Sequence, residues 1–411
     1  MNNSFINQEG INNYDWQKLA KKIENVHSDV GLLNLIHTDF DWETTYRAFG
    51  ISPNGWDLID ELRNPIFGRF HDKTFNVGTG EVTINIALLA KWLVINVLKI
   101  GIEETIQNLR DYLSKDKNSA YRITAIPSLQ IDEIIVLNDN LYLSSECPPG
   151  LEDTLSKLLL ETNNWSYPYS FIVEKLYIPK TYDQNYAKEI SQTEHIFEIC
   201  NLLSLLTINN APAPLAHWIL LSPEVPFSSI IDGNKVWYPE LKLSDHPEVI
   251  SNDQGKALKS LISQHQKICA ERKNPIDVGL YRLISAINTK NQTQKAIDLG
   301  IALECILTAP KVRDQLSLQF RTIGSLITGK TLEERKKHYE IYKAIYSLRS
   351  EAVHNGEIPQ QEGIADRGKI SSYQIIQEGI ALAKTAFIYF ISKGGMDKED
   401  YINLMQSKDY E

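Results

Sequence analysis

The chain has 411 residues, 43% of them hydrophobic, and a formal net charge of −10. That length and apolar content allow two or three domains with cores of their own, while the acidic balance excludes a protein that coats nucleic acid with a uniformly basic surface. The four cysteines, Cys147, Cys200, Cys269 and Cys305, form no Cys-x-x-Cys pair and read as reduced thiols of a cytoplasmic protein rather than zinc ligands or a disulfide framework.

From the N-terminus, Met1 to Gly10 carry neither a basic region nor an apolar run, so no signal peptide is expected. Residues 1–120 read as a mainly helical region in which Trp16, Trp42, Trp56 and Trp92 anchor a core. The longest apolar stretch, 84–100, contains Asn85, Lys91, Asn96 and Lys99, which suits a buried helix rather than a membrane span. Gly78-Thr79-Gly80 lacks the Lys-Ser/Thr of a phosphate-binding loop and reads as a turn.

Residues 121–180 change to alternation. Ile131 to Leu137 and Leu141 to Ser144 read as two strands joined at Asn138-Asp139-Asn140; a helix from about Leu151 to Glu161 and a strand from Tyr169 to Tyr177 complete a small mixed α/β module. The helical period returns over 181–411, first from Asn185 to Leu206, where Ile190, Ile196, Ile199, Leu203 and Leu206 recur. His195 on that helix reads as a surface histidine, since no second histidine stands at metal-ligand spacing. Asn210 to Pro214 breaks the chain, the segment to His246 reads as irregular, and a helix is expected from about Asp253 to Arg272. His217, His246, His265 and His338 have no evident partners in sequence.

The run Ala296 to Leu307 is apolar on nearly all sides, so Glu304 within it needs a partner; Arg321, on the following helix from about Val312 to Ile327, is the first candidate for a structural ion pair, and Arg349 further on is the other. Thr331-Leu-Glu-Glu334 then reads as a capping box. Behind it Ile341, Ile345, Leu348 and Ala352 form one buried stripe, and Asn355-Gly356 supplies the C-terminal cap. Between Lys311 and Ser350 nine basic residues (Lys311, Arg313, Arg321, Lys330, Arg335, Lys336, Lys337, Lys343, Arg349) face four acidic ones (Asp314, Glu333, Glu334, Glu340), a local excess of five positive charges in an acidic chain. Arg335, Lys336, Lys337 and Lys343 are either a solvated helix face or a track for RNA.

Near the end of that helix an always-charged guanidinium, Arg349, precedes a titratable imidazole, His354, by five residues, a combination suited to phosphate chemistry. Five steps at roughly 100° leave the two about 140° apart on a regular helix. Either the helix unwinds after Val353, or a second copy of the chain completes the site across a twofold axis.

The order Ala302-Leu303-Glu304-x-x-Leu307, Phe320-Arg321-x4-Leu326-Ile327 and Tyr346-x-x-Arg349-Ser350-x-x-Val353-His354-Asn355-Gly356 resembles the Apea-like branch of the HEPN superfamily over about residues 275–395. The resemblance implies a mainly α chain with a C-terminal HEPN-like helical bundle, beside the mainly helical N-terminal region and the mixed middle module. It also implies a metal-independent, cofactor-free endoribonuclease acting on RNA as a homodimer or higher even oligomer. Such proteins are commonly toxins or antiphage-defence effectors, with an antitoxin or a phage-derived trigger as further partners and no membrane. Arg349 and His354 would take the catalytic positions, with Ser350, Glu351 and Asn355 in support. Some HEPN domains keep the fold without cleaving RNA, so a silent module for dimerisation and RNA or protein binding is the alternative.

Overall fold

The computed structural model describes residues 8–29, 31–33, 42–68, 74–76, 81–83, 86–127, 129–161, 169–180, 185, 192–208, 210–225, 231–236, 247–309, 315–365 and 367–406. Gly78 to Gly80, Ile190, His246, Lys311 and Arg313 lie outside them.

The N-terminal region is helical: α1 (Gln8–Asn13), α2 (Trp16–His27), α3 (Trp42–Ile51), α4 (Pro53–Leu62), α5 (Pro65–Gly68), then a short hairpin of β1 (Thr74–Asn76) and β2 (Glu81–Thr83), and α6 (Ile86–Ile100) and α7 (Ile102–Ser114). Local signals start these helices. Asp15 accepts from the amides of Gln17 and Lys18 to begin α2, and Ser52 caps α4 with Pro53 at its first position. Leu19, Ile23 and Val26 of α2 then face Leu58 and Leu62 of α4 and Leu93 of α6 in one apolar core. Trp92 belongs to that core, but Trp56 is 43% exposed with the Arg63 guanidinium 5.0 Å above its ring, so it anchors a surface contact instead.

A six-stranded antiparallel sheet follows, in the order β5-β6-β7-β3-β8-β9: β3 (Lys117–Pro127), β5 (Ile135–Asn138), β6 (Leu141–Ser144), β7 (Tyr169–Pro179), β8 (Ala216–Leu221) and β9 (Ile231–Val236). The segment expected to be irregular therefore contributes two strands. Ala216 to Leu221 is buried on both faces, so it shows a continuous apolar run rather than alternation. β3 is central, paired over its whole length with β7 (Lys117↔Pro179 to Pro127↔Tyr169).

Its odd-numbered face, with Ile123 and Ala125, packs on Leu151, Leu155 and Leu158 at and within α8 (Glu152–Glu161). On the even-numbered face, Ala120 joins the N-terminal core while Ile126 joins the C-terminal one. Between those two apolar zones sits buried Arg122, bonded at 2.6 Å to Glu174 of the adjacent strand. His195 of α9 (Glu194–Leu203), still about a third exposed as a surface histidine would be, lies 3.2 Å from each of them, partners that its sequence spacing did not announce.

β4 (Leu129–Ile131) pairs in parallel with β10 (Glu248–Ile250), which leads into the C-terminal helices: α10 (Asn252–Gln266), α11 (Ala270–Asn288), α12 (Gln292–Leu307), α13 (Leu316–Thr328), α14 (Leu332–Asn355), α15 (Ser372–Ser392) and α16 (Lys398–Gln406). The helix expected over 253–272 is thus two, broken at Lys267 to Cys269 where Ile268 turns into the core. A hairpin of β11 (Gln361–Ile364) and β12 (Gly368–Ser371) joins α14 to α15. α15 runs through the core, with Ile376, Ile380, Phe387 and Ile391 buried, and bare Gly379 admits Ile345 of α14. Among the described residues it is the one helix long and apolar enough to cross a membrane, and its apolar side chains are spent on its neighbours. Over the described residues the chain is mainly α, with one six-stranded sheet and three two-stranded pairs, as the sequence pattern suggests in its helical majority.

Candidate functional site

α14 is built as its sequence reads. Thr331 accepts from the Glu334 amide at 3.2 Å while Glu334 accepts in return from the Thr331 and Lys330 amides at 3.1 and 2.8 Å. Those two amide bonds hold the Glu334 carboxyl below its ordinary range. Ile341, Ile345, Leu348 and Ala352 are buried in the bundle, joined by Tyr342, whose ring lies against Gly324 of α13 and edge-on to Phe320. The helix stays regular through Asn355 and ends on Gly356, left-handed at φ 76°. Unwinding after Val353 does not occur.

Arg349 and His354 therefore project about 140° apart, separated by roughly 7.5 Å of helix rise. Arg349 faces inward. Its stem crosses α12 at Gly300, where a Cβ would stand only 2.5 Å from the arginine Cγ, and its Nη2 donates to Glu304 one turn further along at 2.9 Å. Both side chains keep a little over a quarter of their surface exposed, 29% and 28%. Glu304 is thus half-buried and paired, but with Arg349 and not with Arg321. The reason is the notch at Gly300: it lets the Arg349 stem lie flat on α12 and reach the carboxylate. Arg321 instead places its guanidinium 5.2 Å from the Tyr339 ring centre, near the start of α14. The Nε atoms of Arg349 and Arg321 are both buried without a hydrogen-bond partner among the described residues.

His354 is exposed in the last turn of the helix. Beside it Asn355 donates to Glu351 at 2.7 Å, and Ser350 is half-buried. Counting round the helix, Lys336, Lys343, Ser350 and His354 share one face, at offsets of 7, 14 and 18 residues. Lys343 leans to Glu340 at 3.5 Å, Lys336 and Lys337 are exposed, and Arg335 is half-buried with its Nε on the Gly329 carbonyl at 3.1 Å. Ser347 donates to Glu362 at 2.9 Å, tying the β11–β12 hairpin to the helix, and Arg367 grips Glu378 of α15 with two bonds of 2.6 and 2.7 Å.

Other polar groups carry partners that no local pattern announced. His265 is almost fully buried between Glu198 of α9, 2.5 Å from its Nδ1, and Asp277 of α11, 2.8 Å from its Nε2. Burial pushes its pKa down, the two carboxylates push it up, and the carboxylates prevail. His338 contacts the Thr328 hydroxyl at 3.1 Å, and burial depresses its pKa. His217 is buried within the sheet. Asp298, 1% exposed, is satisfied by Arg282, Ser285 and Gln294 at 2.9 to 3.0 Å. The chain matches no protein-family model, no curated protein and no solved structure.

Proposed function

We propose that this chain is a metal-independent endoribonuclease of the HEPN type, controlled by its N-terminal region and serving as a toxin or antiphage effector in the cytoplasm. The observation that carries the reading is the end of α14: an exposed imidazole in the last turn, and five residues earlier a half-exposed guanidinium with one donor unpaired among the described residues. In the reaction the 2′-hydroxyl of RNA attacks the adjacent phosphorus, its proton passes to a base, and the 5′-oxygen of the next nucleotide leaves with a proton. The product end is a 2′,3′-cyclic phosphate. His354 serves as the base or the acid, and Arg349 stabilises charge on the non-bridging oxygens. Because the helix is unbroken, one copy cannot aim both groups at one phosphate, so the working unit is a homodimer or higher even oligomer that pools residues across a twofold axis.

The pair between Arg349 and Glu304 favours a second reading, in which the arginine fixes the bundle and the domain only dimerises and binds RNA or protein. One experiment separates them: purified protein with single-stranded RNA and chelator, beside Arg349→Lys, Arg349→Ala and His354→Ala, with light scattering for mass. The ribonuclease reading expects cleavage by the wild type, none of a DNA strand, and a loss of about a hundredfold or more in each variant. The lysine variant is the sharpest because it keeps the charge but not the planar fork. A strict monomer, or cleavage that needs added magnesium, overturns that reading.

A further inference from the structure

Where α13, the start of α14 and the β11–β12 hairpin meet, they form an open pocket of about 410 Å³, within the range of roughly 300–1,000 Å³ common for small-ligand sites. Its chemistry is divided. Leu326, Leu332 and Ala365 give it an apolar surface together with the Tyr339 ring, while Arg335 and Lys336 bring positive charge. Thr322 and Ser325 also line it, the Ser325 hydroxyl already donating to the Thr322 carbonyl at 2.9 Å. The Arg321 guanidinium rests over Tyr339, and its buried Nε has no partner among the described residues. Glu340, the acid lining the cavity, is already engaged by Lys343. Leu332 is 56% exposed, a large apolar side chain that its own fold leaves uncovered.

A ligand that matches these features needs a flat apolar body to stack on an aromatic ring, polar edges for hydroxyls, and an anionic group for the lysine and arginine. A fatty acid would leave the polar side chain of Thr322 and the second cation unmatched. We infer that this cavity binds one nucleotide unit, with its base against Tyr339 and its phosphate at Lys336 and Arg335. The unit comes either from an RNA strand or from a free mononucleotide. For a strand the inference rests on the ribonuclease reading above, and it then reads a base several nucleotides from the cut, since Tyr339 and His354 are fifteen residues apart, roughly 22 Å along the helix axis. For a free nucleotide the cavity is a regulatory site.

The test is binding by titration calorimetry to full-length protein carrying His354→Ala, which prevents turnover during the measurement. Two probes are used: the four nucleoside 5′-monophosphates, and single-stranded RNA 12-mers of each base. Each is repeated with Tyr339→Ala, Tyr339→Phe and Lys336→Glu added. Lys336 is exposed, so its variant reports on the site without disturbing the fold. Loss of about tenfold or more in affinity with Tyr339→Ala and Lys336→Glu, restored by Tyr339→Phe, is the expected result. Mononucleotides affected alongside the strand assign the regulatory role; the strand alone affected assigns base reading. If neither probe binds, or the variants bind both probes like the parent, the inference is overturned. A wild-type chain that cleaves no RNA yet shows the Tyr339 effect refutes the ribonuclease reading and leaves the cavity standing; cleavage with indifferent variants does the reverse.

Discussion

Gly300→Ala sets two effects of opposite sign against each other. Within a helix, alanine is better than glycine by about 0.5–1 kcal/mol because it has less freedom to lose. At Gly50 of α3, where an added Cβ meets nothing within 4 Å, that gain is expected up to its full size. At Gly300 the same Cβ stands 2.5 Å from Cγ and 2.7 Å from Cβ of Arg349, against ordinary carbon contacts of about 3.5–4.0 Å. Cγ can swing away by rotation about χ1, but Cβ is fixed to the backbone of α14. The helices must separate by about 1 Å, an overpacking cost of about 1–3 kcal/mol. The bond to Glu304 is weakened as well, worth about 1 kcal/mol for a partly exposed charged pair. The net is a loss of about 1–3 kcal/mol. Denaturant midpoints of the two variants, measured side by side, should move in opposite directions. If the chain is the ribonuclease proposed above, RNA cleavage by Gly300→Ala should fall on the order of a hundredfold, as for a group displaced by about 1 Å. If Gly300→Ala is stabilised like Gly50→Ala, Arg349 does not rest on α12 as described.

Both nitrogens of His265 meet carboxylates, so the bonded ring is the imidazolium. Its pKa is raised in the fold, so its contribution is complete below the unfolded value near 6.5 and fades as pH climbs through the higher folded value. Glu198, lowered chiefly by its bond to His265 despite burial, contributes above about 4.5 and fades as pH falls through its lower folded value. The stability gap between wild type and His265→Gln should therefore be widest between those limits and narrow towards pH 9; a gap independent of pH refutes the clamp. Separately, Glu304→Gln should weaken the contact between α12 and α14, whereas Arg321→Ala should leave Glu304 unaffected. A double-mutant cycle checks this: coupling of about 0.5 kcal/mol or more is expected for Glu304 with Arg349 and none for Glu304 with Arg321. The reverse pattern would favour Arg321, the other candidate offered by sequence.

Local order leaves local marks, and those marks were legible. Thr331, Glu334, the Ile341 to Ala352 stripe and Gly356 act within one helix, and each stands where its spacing indicates. The partner of Glu304 was narrowed to nearby arginines by the need to neutralise a carboxylate among apolar residues, yet the choice fell to Gly300, whose missing side chain has no signature except its fit to a helix distant in sequence. β8 escaped because burial on both faces erases alternation. His265 finds Glu198 and Asp277 at 67 and 12 residues' separation, Arg122 finds Glu174 at 52, and no periodicity encodes such meetings.

One apolar cluster runs without a break from Leu129, Ile135 and Leu143 of the sheet region, through Ile196, Leu258 and Leu261, to Phe387 and Tyr401. A stretch such as 275–395, however recognisable in sequence, cannot be grafted elsewhere as a ready-made part. Lifted out, it would bare the surfaces that Ile199, Leu203, Leu258 and Leu261 cover, and Lys384 would lose the carbonyl of Thr207, which holds its ammonium at 2.7 Å. Any successful transplant must carry the chain from before α9, so that the smallest portable unit is set by the packing of the core and not by the reach of the motif.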